Sequence, residues 1–165
     1  LKETEFKDMY NELEGAFVQD CLIETDLEIL IPDSYVSNIA ERVNLYKELD
    51  GLEKEEELNA FEDQLIDRFG PIPPATQEMI RALKLRWIAK AIGLEKVVMK
   101  QKKLICYFIS NQDSPYYQSP SFTKVLSYVQ HNPTRCKLKE RNGKLSLVYE
   151  NVSSIIQAIE LLGGI

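Results

Sequence analysis

The sequence predicts an α+β protein in which a mixed, mostly antiparallel sheet of about five strands packs against helices. Two observations lead to this prediction. Apolar residues recur at helical spacing in three consecutive segments between about residues 34 and 92, and after Gly93 the pattern changes to strands joined by hairpin signals. The chain of 165 residues can bury a stable core, because a domain of about this length buries roughly 70% of its unfolded surface.

The first strand is expected over residues 21 to 31, where Leu27, Ile29 and Ile31 occupy alternate positions. Pro32 ends that strand, and the carboxylate of Asp33 is placed to cap the first helix of the three-helix segment. The face that this helix buries is predicted from six apolar or aromatic residues at helical spacing: Val36, Ile39, Ala40, Val43, Tyr46 and Leu49.

Two further helices complete this segment. The second begins in the acidic run at residues 53 to 57 and ends at Gly70, and prolines 71, 73 and 74 prevent it from continuing. The third begins near Pro74 and ends at Gly93. The buried face of the second helix is predicted from five residues: Leu58, Phe61, Leu65, Ile66 and Phe69.

Two hairpins are predicted in the second half of the chain. Strands at residues 97 to 99 and 104 to 109 are separated by a short turn. Strands at residues 136 to 138 and 145 to 149 flank Asn142-Gly143, a dipeptide typical of tight hairpin turns. These four strands and the first one account for the expected sheet.

Helices are also expected elsewhere in the chain. Ser119-Pro120 predicts the start of a short amphipathic helix, and a final helix begins at about Val152. Residues 1 to 19 carry only a narrow apolar stripe among acidic residues and are interpreted as a connecting helix or linker tail. Residues 20 to 165 are then expected to form a single domain.

The composition indicates an ordinary globular protein from a reducing compartment. No apolar run approaches the roughly 18 residues that cross a bilayer, and no signal-peptide pattern is present. The cysteines number three, at wide spacing: Cys21, Cys106 and Cys136. We therefore expect a soluble, cytoplasmic protein. Because the chain opens at Leu1 without a methionine, we also expect it to be a piece of a longer one.

The two halves of the chain carry opposite charge. Residues 1 to 70 hold 20 Asp and Glu against 6 Lys and Arg, whereas residues 71 to 165 hold 6 against 14. The two halves can neutralise one another across a folded interface or cover different faces. Alternatively, each half provides a surface for a charged partner.

Residues suited to catalysis or cofactor binding are scarce. His131 is the only histidine and lies at a predicted helix end, and no phosphate-binding glycine motif occurs. Asp63 and Asp67 share one helical face and could form an acid and base pair or hold a divalent ion, but a solvated face beside Arg68 is the more common arrangement. No catalytic residue, cofactor-binding residue or metal ligand is therefore predicted.

The basic half suits a nucleic-acid surface, for which Trp87, Tyr116 and Tyr117 are candidate stacking groups. Trp87 lies on an apolar helical face, however, and the lysines flank turns where charge favours solubility. The cations concerned are Arg81, Lys84, Arg86, Lys90, Lys100, Lys102, Lys103, Arg135, Lys137, Lys139, Arg141 and Lys144.

Three strings in the chain, IPDSYVSNIAERVNLYKELDG, EELNAFEDQLIDRFGPIPP and LKLRWIAKAIGLEKV, resemble the carboxy-terminal domain of bacterial transcription-repair coupling factors. The resemblance is dense from about residue 26 to 98 and thinner beyond Met99. The matching motif residues, to which the resemblance assigns structural roles, are Pro32, Asp33, Arg42, Tyr46, Asp67, Arg68, Phe69 and Gly70.

The resemblance implies a non-catalytic regulatory module of a larger, ATP-driven DNA translocase that couples stalled transcription to nucleotide excision repair. In that family the domain acts as an autoinhibitory clasp: it packs on an amino-terminal UvrB-like module and covers the surface that UvrA needs. ATP and Mg sites, the DNA motor and the RNA polymerase contact belong to other parts of the parent protein. This fragment is therefore expected to be no enzyme, to bind no cofactor and to have no membrane partner.

The acidic half supplies the candidate clasp contact, because a releasable interface is expected to be polar and sensitive to salt. Four acids on the first two helices are the candidates: Glu48, Asp50, Glu56 and Asp63. The alternative is a module that contacts DNA or RNA polymerase through the basic half.

Overall fold

A computed structural model describes residues 17 to 165. The chain divides into two compact units, which are described separately. One, here called the helical unit, is Leu27–Lys84; the other, the sheet unit, combines residues 17 to 26 with Leu85–Ile165. Within the described residues, no helix has the length and apolar character needed to cross a membrane.

The helical unit contains α1 (Ile39–Asp50), α2 (Glu55–Phe69) and the first part of α3 (Pro74–Ile92). Arg68, near the end of α2, forms an ion pair with Glu41 in the first turn of α1, so these two helices run antiparallel. Their core is apolar and almost fully buried, and consists of Leu45, Leu49, Leu58, Phe61 and Leu65.

The predicted start of the first helix was wrong, because the helix begins at Ile39 and its cap is Asn38, not Asp33. The side chain of Asn38 accepts a hydrogen bond from the backbone N–H of Glu41 at 3.0 Å. Asp33 lies in a turn in which the carbonyl of Pro32 accepts the backbone N–H groups of Tyr35 and Val36. The chain thus completes a separate turn before it reaches the cap.

The predicted buried face of this helix was also wrong in part. Leu49 is buried as expected, and Leu45 is its partner in the core, but Ile39, Val43 and Tyr46 are 70, 44 and 38% exposed. The exposed residues follow helical spacing as regularly as buried ones would, so periodicity alone could not distinguish the two faces.

The sheet unit contains five strands: β1 (Leu22–Thr25), β2 (Leu94–Lys100), β3 (Lys103–Phe108), β4 (Cys136–Arg141) and β5 (Lys144–Glu150). Their order is β1-β2-β3-β5-β4; β1 pairs with β2 in parallel and the other pairs are antiparallel. The predicted mixed, mostly antiparallel α+β fold is confirmed.

The sheet unit contains the second part of α3, from Leu85 onward. Its other helices are α4 (Pro120–His131) and α5 (Ile155–Gly163), together with a 3-10 turn at Pro115–Gln118. Ser119 caps α4 as predicted, since its side chain accepts the backbone N–H of Phe122. The helix α5 starts three residues later than expected, because Ser154 and Gln157 form a reciprocal capping box there.

Alternation along the strands places one face of the sheet in the core and leaves the other face outward. Val97, Leu104, Cys106 and Leu147 are completely buried on the inner face. Both predicted hairpins are present, and Asn142 and Gly143 adopt φ angles of 53° and 77° between paired Arg141 and Lys144.

The predicted first strand over residues 21 to 31 was wrong in its second half, because β1 pairs with β2 over only four residues and Leu27, Ile29 and Ile31 lie in no strand. A connecting helix or linker tail was predicted at residues 1 to 19. Residues 1 to 16 lie outside the described part of the chain, and residues 17 to 19 form no helix or strand. A single domain over residues 20 to 165 stays a prediction.

Candidate functional site

An acidic surface lies at the end of the helical unit where α1 leads into α2. Glu48 and Asp50 are in the last turn of α1, and Glu56 is in the first turn of α2. Asp63 lies seven residues further along α2, about 10 Å away at 1.5 Å per residue. All four side chains are exposed. The structure therefore groups three of the four candidate acids at one end and places Asp63 two turns away on the face of Glu56.

The helical unit carries a net negative charge. Residues 27 to 84 contain 13 Asp and Glu against 6 Lys and Arg, a balance of -7. Some of the acids pair within the unit: Glu55 lies 3.7 Å from Lys84, and Glu41 pairs with Arg68. The acidic end of α1 and α2 keeps an excess of carboxylates that can attract a cationic partner.

An apolar stripe runs along α1 towards this acidic end. Ile39, Val43 and Tyr46 lie at spacings of four and three residues, and Asp50 continues the same face. Exposed apolar side chains arranged in a row, with charges at the border, are typical of protein-binding surfaces. The stripe could not be located from the sequence, because the helical spacing of these residues predicts a place in the core.

Two motif residues hold the segment that precedes α1. The hydroxyl oxygen of Tyr46 accepts the backbone N–H of Ile31 at 2.8 Å. Arg42 donates from Nη1 to the carbonyls of Val36 at 2.7 Å and Ser37 at 3.2 Å. Tyr46 thus has both a hydrogen-bonded hydroxyl and a partly exposed ring.

The motif at residues 67 to 70 surrounds the end of α2. Gly70 follows the helix with φ of 90°, and its N–H donates to the carbonyl of Ile66 at 2.9 Å. The guanidinium of Arg68 lies 4.7 Å from the centre of the Phe69 ring. Asp67 is exposed and Pro32 is half-buried in the turn before α1.

The chemically reactive residues lie in unreactive environments. His131 is exposed at the end of α4, with Nδ1 2.7 Å from the carbonyl oxygen of Ser127. Burial raises the pKa of the Cys21 thiol to about 12, and it also raises the pKa of Cys106 and Cys136. Among residues 17 to 165, no three His, Cys, Asp or Glu side chains are grouped as a metal site would require.

A second charged surface lies on the outer face of the sheet. It is called the basic sheet face and surrounds an open cleft of about 1000 Å³. Strand register places seven cations on this face: Lys96, Lys100, Lys103, Lys137, Lys139, Arg141 and Lys144. Acidic side chains there are Glu24 beside Lys96 and Lys100, Glu150 beside Lys103, and Glu95 and Glu140 in the cleft lining.

Of the three candidate stacking residues of the basic half, burial excludes one. Tyr116 is fully buried, and its hydroxyl donates to the carbonyl of Ile92 at 2.6 Å, so it cannot stack on a ligand. Trp87 and Tyr117 are half-buried. Instead, Tyr107 lines the cleft on the outer face. Alternation of Lys137, Lys139 and Arg141 was the signal in the sequence that could have located this face.

Comparison with known families gives a match over residues 25 to 119 to the TRCF domain. The transcription-repair-coupling factor of Rickettsia prowazekii is 29% identical over 130 residues, which cover 79% of this chain and 11% of the relative. The corresponding factor of Escherichia coli is 27% identical over 142 residues, or 82% of this chain and 12% of the relative. The chain thus spans about one-eighth of the length of such relatives.

A solved structure, described as the crystal structure of the C-terminal domain of a transcription-repair coupling factor, has the same fold. It aligns with a TM-score of 0.66 at 16% identity and covers 88% of this chain and 91% of that chain. The family match covers more than half of the chain and includes the motif residues from Pro32 to Gly70. This chain therefore belongs to the TRCF domain family, the carboxy-terminal domain of transcription-repair coupling factors.

Proposed function

We propose that this domain is a non-catalytic regulatory clasp of a transcription-repair coupling factor. In this proposal it binds the amino-terminal UvrB-like module of its own parent protein and covers the surface that UvrA requires. The domain itself binds no cofactor. The ATP and Mg sites, the DNA motor and the RNA polymerase contact belong to other parts of a cytoplasmic parent protein.

The observation that supports this proposal best is the apolar stripe of α1, which runs into the acidic surface. An interface that forms and releases combines a small apolar centre with a charged rim. Ile39, at 70% exposed, and Val43 would provide the centre, while Glu48 and Asp50 would provide the rim. The same charges would make the contact weaken as salt concentration rises.

A calorimetric titration of the domain with the isolated UvrB-like module tests the proposal. Saturable binding that UvrA competes away is the expected result. Binding that UvrA leaves unchanged would contradict the masking function, even if the two parts associate. If the folded domain does not bind, the two parts would be joined by a flexible linker, because tethering raises the effective concentration to the millimolar range. UvrA would then be titrated into the joined protein, and weaker UvrA binding than to the isolated module is expected.

Paired charge reversals test which surface makes the contact. Glu48→Lys with Asp50→Lys should weaken binding without lowering the melting temperature, because both side chains are exposed and cations are favourable at the end of a helix. Asp113→Lys with Glu160→Lys makes the same change in net charge on exposed positions of the sheet unit. Equal loss of affinity in both pairs would show a non-specific effect of charge.

A further inference from the structure

We propose that the basic sheet face binds single-stranded DNA, with phosphates along the β4–β5 edge and a base stacked on Tyr107. This surface lies wholly in the sheet unit and is distinct from the acidic surface assigned to the clasp. It would give the domain a second partner, so the inference does not depend on the proposed clasp function.

The uncompensated cations are concentrated on one side of this face. Lys96 and Lys100 lie 3.3 and 3.7 Å from Glu24, and Lys103 lies 3.6 Å from Glu150. On β4 and β5 the cations form no ion pair with any described residue; they are Lys137, Lys139, Arg141 and Lys144. Positive charge without internal partners remains available for an external anion.

The arrangement along β4 suits a chain of phosphates. Lys137, Lys139 and Arg141 occupy alternate positions, so they point to the same side at intervals of about 6.8 Å. This interval is close to the separation of successive phosphates along an extended nucleic-acid strand. Lysines on an edge strand also discourage strand pairing, but that protection does not require an adjoining cleft.

The floor of the cleft distinguishes a single strand from a duplex. Tyr107 is half-buried between Lys96 on β2 and Ser146 on β5, and Ile105 and Val148 lie beside it. Lys96 Nζ lies 6.0 Å from the centre of the Tyr107 ring, whose hydroxyl forms no hydrogen bond to a described residue. An unpaired base can stack on such a ring, whereas a paired base inside a duplex cannot.

The size and polarity of the floor favour DNA over RNA. Three strand spacings separate β2 from β4, which leaves about 14 Å between the two rows of cations. This width accommodates one strand with its bases turned inward. The apolar side chain of half-buried Ile105 suits deoxyribose and thymine methyl groups better than a ribose 2′-hydroxyl, which needs a hydrogen-bonding partner.

Fluorescence anisotropy of a labelled twelve-residue thymidine oligonucleotide, titrated with the full 165-residue chain, tests this inference. Saturable binding is expected at low salt. If the four unpaired cations each contact one phosphate, the slope of log affinity against log salt should be about -2.8, from about -0.7 per phosphate on a single strand. A slope near zero would overturn the assignment.

Matched variants locate the binding site. Lys139→Glu should lower affinity at least about tenfold and make the salt slope less steep. Lys124→Glu makes an equal charge change at an exposed position of α4 and should have a much smaller effect on affinity and on the salt slope. Tyr107→Leu should lower affinity roughly fivefold to hundredfold through loss of stacking, and Tyr107→Phe should retain it. Circular dichroism and thermal unfolding verify that each variant is folded.

Other ligands determine whether the assignment is correct. A duplex of the same length that binds as tightly as the single strand would overturn the stacking role of Tyr107. Tighter binding of the matching uridine oligonucleotide would overturn the choice of DNA. A polyglutamate peptide of equal charge that binds as tightly would show a general anion surface, such as one for an acidic protein, and would overturn the nucleic-acid proposal.

Discussion

The hydroxyl of Tyr35 lies 2.8 Å from the carbonyl oxygen of Gly70 and donates a hydrogen bond to it, although the two residues are 35 positions apart in the sequence. The rings of Tyr35 and Phe69 also lie 5.7 Å apart, centre to centre. One side chain from the turn before α1 thus holds the glycine turn that ends α2. Two of the matching sequence segments therefore meet at a single contact.

Replacing Tyr35 by phenylalanine should lower the free energy of unfolding by about 0.5 to 1.5 kcal/mol, since the ring remains and the hydrogen bond is lost. Urea denaturation followed by circular dichroism measures the change. Tyr107→Phe is the matched control, because the Tyr107 hydroxyl has no hydrogen bond to a described residue, and it should stay within about 0.5 kcal/mol. Equal effects in both variants would contradict the importance of the Gly70 contact.

Gly93→Ala should destabilise the sheet unit by more than about 2 kcal/mol. Gly93 has φ of 105°, which strains any residue with a Cβ, and a Cβ there would lie 2.2 Å from Cε1 of buried Tyr116. Gly163→Ala is the control, because a Cβ at that position meets nothing within 4 Å and its φ is not positive. Thermal unfolding of the two variants should differ clearly, and similar melting temperatures would contradict this account.

The ion pair between Arg68 and Glu41 should contribute little to stability despite its position in the family motif. Both side chains are partly exposed, at 42 and 36%, and exposed pairs of this kind contribute about 0 to 1 kcal/mol. Arg68→Gln should therefore lower the free energy of unfolding by less than about 1 kcal/mol. Phe61→Ala, in the core of the same unit, should cost about 3 to 5 kcal/mol.

Stability should decline at alkaline pH because of buried thiol and phenol groups. Burial raises the pKa of Cys21 from 9.0 to about 12 and also raises the pKa of Tyr149, so the folded state favours their neutral forms. The unfolded chain ionises first as pH rises. For Cys21 the stabilisation is therefore complete below about pH 9 and is lost between about pH 9 and 12, whereas for Tyr149 the loss begins above about pH 10. Each group loses up to about 1.4 kcal/mol per pH unit within its window.

Chemical denaturation at intervals from pH 8 to 11 measures this decline. Cys21→Ala, which removes one titrating group, should make the decline less steep while lowering stability at pH 8 through lost packing. Iodoacetamide should modify none of the three buried cysteines until the protein unfolds. Rapid alkylation of the folded protein, or constant stability up to pH 11, would contradict the prediction.

Much of the fold could be predicted because its signals are local. Gly70 and Gly93 end helices through their own backbone freedom, and Ser119 caps α4 with its own side chain. Asn142 and Gly143 adopt the positive φ angles that a two-residue hairpin requires. Such features involve neighbours within a few residues, so composition and spacing are sufficient to locate them.

The candidate surfaces were only partly predictable. The exposed acids Glu48, Asp50 and Glu56 could be located from helix period and charge, because they lie at the ends of helices whose boundaries the sequence predicts. The exposure of Ile39 and Val43 could not, since apolar residues at helical spacing are found on core faces and docking faces alike. Burial depends on which neighbouring segment covers a helix.

The sequence by itself determined the α+β class, the hairpin turns and the opposite charge of the two halves, because these depend on local residue type and spacing. Only the tertiary structure decided that β1 pairs in parallel with β2, more than 60 residues away, and that Leu45 rather than Val43 enters the core. It also brought Lys96, Tyr107 and Lys139 onto one face through the register of four strands. These features arise from long-range pairing, whose free energy depends on contacts that no short stretch of sequence contains.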